Sequence, residues 1–202
     1  MSRPPPQPEY VFCGISGGAT CCHYATVNDV NCCIIGSQKG LCWQYSIKTK
    51  KCVTMLIDES NNSSIMSCGQ LNDGRLWAHV RNVGVRILTV LKGTEAISAQ
   101  LTSTIATDHY GFCAADLNQL DQLAIPEEGK DCSPSVRVVD GAGAPISFFP
   151  IGGGPDAKRG AIMRIKWATA DRLLAAFENG SLVLFETATG RELARRDSLH
   201  KE

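Results

Sequence analysis

The chain has 202 residues, 44% of them hydrophobic and 20% charged, which is enough apolar material for one good-sized core or two small ones. Twenty Lys and Arg offset twenty Asp and Glu, so no general field draws the chain to nucleic acid or to an anionic membrane. No apolar stretch reaches the ~18 residues of a membrane span, and Met1-Ser2-Arg3 leads into proline rather than a secretory leader, so a cytoplasmic and nuclear location is expected.

Residues 1–9 contain four prolines and read as an extended arm. From Tyr10 onward, short apolar runs alternate with turn clusters, the pattern of an all-β chain. The first group runs through residues 31–36, the tetrad Ser37-Gln38-Lys39-Gly40, a second strand at 41–45, a polar turn around Thr49 and a third strand. A second group has candidate strands at 64–68, 75–79, 85–88 and 96–101, and a third at 110–114, 122–125, 136–139 and 146–149. The fourth opens at 161–167 and repeats the formula of the first: 172–177, the tetrad Glu178-Asn179-Gly180-Ser181, then 182–185 and a turn before Gly190. Asn179-Gly180 is a strong hairpin signal because both residues accept positive φ, and Gly40 serves the same need in the first copy.

Four strands therefore recur about every 45 residues, the period of β-propeller blades. One apolar face per hairpin cannot bury itself, so copies must stack. The expected division is a Pro-rich arm at 1–9, then blades at about 10–57, 58–101, 102–150 and 151–202.

Ten cysteines require a decision. Cys21, Cys22, His23, Cys32 and Cys33 offer metal-binding atoms, but neighbouring strand residues point to opposite faces and the Cys-x₂₋₄-Cys spacing of structural zinc is missing. Reduced cysteines packed as small hydrophobes, with no metal, are the expectation. Trp43, Trp77 and Trp167 are expected in the core, and the structural repeat positions are Gly36, Gly40, Trp43, Trp167, Asn179, Gly180 and Phe185. The basic clusters at 48–51 and 195–196 sit beside turns and read as solvated charge. His23, His79, His109 and His200 fall in different groups with no nucleophile motif beside them, and Asp108-His109 reads as an inter-blade loop. The glycine-rich stretch 152–160 lacks the Gly-Lys-Ser/Thr end that positions a phosphate, so it too reads as a loop. These features predict no enzyme, no cofactor and no catalytic residue.

Three stretches carry a family resemblance. Pro8-Glu9-Tyr10-Val11-Phe12-Cys13-Gly14 is similar to a "P-x-Y/F-V-L-R-G" lead-in. Residues 35–43 resemble "F-S-G-S-Q-x-G-x-V-x-x-W", and residues 173–186 resemble "L-L-A-G-Y-E-D-G-S-V-V-L-W-D". Together they resemble the WD-repeat family of guanine nucleotide-binding protein subunit beta-like proteins of animals and their fungal ASTRA-associated counterparts. No copy carries a true Trp-Asp pair: Tyr45-Ser46, Leu88-Thr89, Val139-Asp140 and Phe185-Glu186 stand there, and the Gly-His signature is missing. The His/Asp/Ser/Trp network that braces typical blades is therefore not expected, and packing must hold these blades instead.

The resemblance implies a seven-bladed propeller of roughly 300 residues, of which about four blades stand here, and the expectation is an N-terminal portion. A short form closing by dimerisation is the alternative. For function it implies a protein-interaction scaffold, a co-chaperone adaptor for maturation of phosphatidylinositol-3-kinase-related kinases with the TTT complex and RuvB-like ATPases. The alternatives are a G-protein beta-like signalling subunit, disfavoured because prolines precede the first blade where a coiled-coil helix would stand, or a generic WD-repeat adaptor.

Overall fold

A computed structural model describes residues 9–59, 63–93, 97–109, 111–129, 133–153 and 158–197. Outside them lie most of the Pro-rich arm, Asn61 and Asn62 of two overlapping sequons, Ala96, Tyr110, Cys132, the middle of the glycine-rich stretch and His200. Sixteen strands form four separate four-stranded antiparallel sheets, each in simple sequence order, and no helix occurs among the described residues.

The first sheet comprises β1 (Ala19–Val27), β2 (Val30–Ser37), β3 (Leu41–Ser46) and β4 (Cys52–Asp58). The second comprises β5 (Ile65–Gln70), β6 (Leu76–Val80), β7 (Gly84–Lys92) and β8 (Ile97–Ala106). The third has β9 (Asp116–Leu117), β10 (Leu123–Glu128), β11 (Pro134–Val139) and β12 (Pro145–Pro150). The fourth has β13 (Ile162–Trp167), β14 (Arg172–Phe177), β15 (Leu182–Glu186) and β16 (Glu192–Arg196). The division expected between 101 and 102 falls inside β8, and the one expected after 150 coincides with the end of β12. A strand expected at 110–114 is not formed. In its place β9 has two residues, and Cys113, Ala114 and Ala115 are buried in the segment leading to it.

Each sheet buries its alternate residues against the next sheet. Ala25, Ile34, Leu56, Ile65, Leu76 and Val80 fill the layer between the first and second sheets. Trp77, Ile87, Ile105, Leu123 and Val139 fill the layer between the second and third. Val136, Phe149, Ile165, Leu173, Val183 and Phe185 fill the layer between the third and fourth. β6 lies between two neighbouring sheets and is buried at all five positions, whereas β16 is exposed at every position. A fully buried Leu, Ile, Val or Phe contributes about 1.5–3 kcal/mol, so these layers, not single hairpins, hold the fold.

The turns explain the repeats. Gly180 donates to the Phe177 carbonyl at 3.0 Å with φ +81°, and Gly40 donates to Ser37 at 3.3 Å with the same φ. Only the glycine of Asn179-Gly180 takes positive φ. Asn179 acts instead through its side chain, its Oδ1 accepting from the Ser181 amide at 2.9 Å. The polar turns after β3 and β15 also match, with Lys50 donating to the Ser46 carbonyl and Gly190 to the Glu186 carbonyl across five residues.

The two ends of the stack differ. On the outer face of the first sheet, Ile35, Trp43 and Tyr45 are covered by the chain's own lead-in through Phe12 and Ile15. Phe12 meets Tyr45 edge-on at 5.3 Å, Tyr10 meets Phe12 in the same way, and the Tyr45 hydroxyl donates to the Cys13 carbonyl at 3.2 Å. On the fourth sheet, Leu174, Leu182 and Leu184 alternate with the buried Leu173 and Val183 and point away from the third sheet.

Candidate protein-interaction surface

Neighbouring blades are tied at each junction by hydrogen bonds that involve side chains. Thr20 Oγ1 donates to the Ile65 carbonyl at 2.5 Å, and Ser67 Oγ donates to the Ala115 carbonyl at 2.9 Å. At the third junction Asp116 accepts the Trp167 amide at 2.9 Å, its carbonyl takes the Trp167 indole N–H at 3.1 Å, and Lys166 pairs with its carboxylate. The Ala115 amide also donates to His79 Nδ1 at 3.0 Å. Burial pushes His79 down to about 4, so the imidazole stays neutral and acts as an acceptor. These bonds join one blade to the next, where the His/Asp/Ser/Trp network of typical blades would brace each blade internally.

A concavity of about 840 Å³ opens between the third and fourth sheets. It is walled by the segment leading to β9, the turn after β10 and the segment leading to β13. Phe112 is 72% exposed, with the Arg81 guanidinium over its ring at 4.3 Å, and Met163 is exposed on the opposite wall. Glu128 and Lys158 add exposed charges of opposite sign. Beneath them the Arg159 side chain is almost wholly buried. It donates to the Ile151 carbonyl at 2.7 Å and to Glu192 at 2.5 Å, and lies over Phe177 and Phe185 at 5.3 and 6.0 Å. A buried guanidinium needs such partners to offset its desolvation. His109, depressed by burial, packs against Gly111, and Glu127 is raised by burial although Arg137 at 2.5 Å draws it back.

The surface offers an aromatic and a thioether contact framed by mixed charge on a rigid base, which suits a protein segment. Among the described residues no three His, Cys, Asp or Glu side chains converge as a metal site, and no helix is long and apolar enough to cross a membrane. The residues singled out in the sequence stand elsewhere. Gly36 lies on β2 against Ile65, Gly40 and Gly180 are in turns, and Trp43 is under the lead-in. Trp167 is at the third junction, Asn179 shapes a turn and donates to the Lys158 carbonyl at 3.2 Å, and Phe185 is in the third core layer. The clusters at 48–51 and 195–196 are at or near the surface, with Arg195 paired to Asp197. Phe112 falls in the strand expected at 110–114 and Arg159 in the stretch 152–160 read as a loop, so the sequence singles out neither as a contact residue.

No family model matches the chain. Guanine nucleotide-binding protein subunit beta-like protein 1 of Mus musculus is 24% identical over 211 residues, spanning 98% of this chain. The chain is an all-β propeller arc of four blades, similar to that WD-repeat protein along nearly its whole length. It spans 62% of the relative's length. Two solved structures share the fold at 11% identity. The WD-repeat arc superposes on the crystal structure of Chaetomium thermophilum Raptor with a TM-score of 0.68 over 91% of this chain and 17% of that one. It superposes on the computationally designed Ika4 protein with a TM-score of 0.62 over 90% of this chain and 99% of that one.

Proposed function

We propose that the chain is a non-enzymatic protein-interaction scaffold that serves as a co-chaperone adaptor, engaging the TTT complex and RuvB-like ATPases during maturation of phosphatidylinositol-3-kinase-related kinases. Homology along 98% of the chain to a WD-repeat beta-like protein carries this reading. The cleft beside Phe112 and Met163 supports it, because rigid blades that present loops and exposed apolar side chains bind partners without chemistry. In this reading the chain acts in the cytoplasm and nucleus.

Affinity capture of the tagged chain from cell extract tests it. TTT subunits, RuvB-like ATPases and kinases of this class are expected in the eluate. Phe112→Glu and Met163→Glu should deplete them while leaving the thermal transition in place. Their absence from the wild-type eluate overturns the adaptor reading, and undiminished capture by both variants overturns the assignment to this cleft.

A further inference from the structure

The inner strands β1, β5, β9 and β13 surround an axial cavity of about 420 Å³, and two thiols from different blades line it. Cys21 Sγ on β1 stands 3.7 Å from Cys68 Sγ on β5, although 47 residues separate them in sequence. We propose that Cys21 and Cys68 form a peroxide-oxidisable pair that cross-links the first blade to the second.

Packing fixes the two sulfurs. Cys21 Sγ lies 3.8 Å from the Ile65 carbonyl and sits over Gly36, where an added Cβ would come within 2.8 Å of it. Cys68 Sγ lies 3.8 Å from the Ile34 carbonyl. Bond formation closes the 3.7 Å between the sulfurs to about 2.05 Å. The roles are unequal. Interaction with the Cys68 thiol holds Cys21 below its usual range, whereas Cys32, Cys33, Cys42, Cys52 and Cys113 are raised chiefly by burial, and Cys68 by its contact with Cys21. Of the two thiols in the pair, Cys21 is the one shifted toward the thiolate, and the cavity gives a small oxidant access to it. The Cys21 thiolate attacks hydrogen peroxide, the O–O bond breaks, and hydroxide leaves a sulfenic acid on Cys21. The Cys68 sulfur then attacks the sulfenic sulfur, its proton leaves with the hydroxyl as water, and the S–S bond forms. In sum, two thiols and one peroxide yield one disulfide and two waters. Nine of the ten cysteines lie within the described residues, and all nine are free thiols in this structure.

Titration of the full chain with hydrogen peroxide, followed by non-reducing peptide mapping, tests this. A Cys21–Cys68 linked peptide that disappears on reduction is expected, with an upward shift of several degrees in Tm for the oxidised protein. Cys68→Ser should leave a sulfenic acid on Cys21 that dimedone labels, Cys21→Ser should abolish both products, and Cys22→Ser should change neither. If the exposed Cys13, Cys22 and Cys52 are consumed with no Cys21–Cys68 peptide formed, or if dimedone labels another cysteine in Cys68→Ser, the assignment is overturned. The wild-type map decides alone should a variant not fold.

Discussion

Leu173 and Leu174 are neighbours on β14 with the same side chain and opposite surroundings. Leu173 is 0% exposed and packs in the layer between the third and fourth sheets, while Leu174 is half-buried on the face that points away. Leu173→Ala removes three buried carbons' worth of contact and opens a void among Phe149, Ile165 and Phe185, residues of the same layer. Lost transfer energy and the void together place the cost at about 3 kcal/mol. Leu174→Ala removes only partly buried surface and leaves a site that water fills, at a cost of ~1 kcal/mol. Urea denaturation followed by intrinsic fluorescence gives both values as changes in midpoint at constant slope. A difference near 2 kcal/mol is expected. Equal losses, or a greater loss at Leu174, would refute the assignment of β14's inward face and with it the stacking order of the third and fourth sheets.

Acid should weaken the fold through His79. Its imidazole is held near 4 in the folded chain and returns to its ordinary value of about 6.5 on unfolding, so between those values the unfolded chain binds the extra proton. Stability should fall by on the order of 3 kcal/mol as pH drops from about 6.5 to about 4, then level off; denaturant midpoints across this range should be flatter in His79→Asn, with a residual slope from His23 and His109, which burial also depresses. Asp116→Ala removes the acceptor of the Trp167 amide and the partner of Lys166, and should cost about 1–3 kcal/mol, with Asp116→Asn losing less because an oxygen remains; urea titration separates the two. Gly84→Ala should cost more than Gly74→Ala in a thermal melt. Both glycines have positive φ, but a Cβ on Gly84 would meet the Ile105 carbonyl oxygen at 2.1 Å, whereas one on Gly74 meets open space.

What the sequence disclosed follows from periodicity. The alternation in 172–177 and 182–185 and the tetrads before Leu41 and Leu182 announce hairpins, because strand period and turn chemistry are local. β9 escaped notice because two residues carry no period, and the apolar run Cys113-Ala114-Ala115 beside it resembled a strand more than Asp116-Leu117 did. The fold of Phe12 onto Tyr45, the Asp116–Trp167 tie and the Cys21–Cys68 approach join residues 33, 51 and 47 positions apart. Such contacts are created by sheet stacking, which no local pattern encodes. The burial of Arg159 belongs with them, since its carboxylate partner comes from β16 and its aromatic neighbours from β14 and β15.

The aromatic plug of Tyr10, Phe12 and Tyr45 gives the arc a polarity. A sheet laid on the leucine face of the fourth blade meets Leu174, Leu182 and Leu184, which no aromatic lead-in covers among the described residues. One arriving at the first blade must displace the lead-in, breaking the edge-on Phe12–Tyr45 contact and the Tyr45 hydrogen bond before it gains anything.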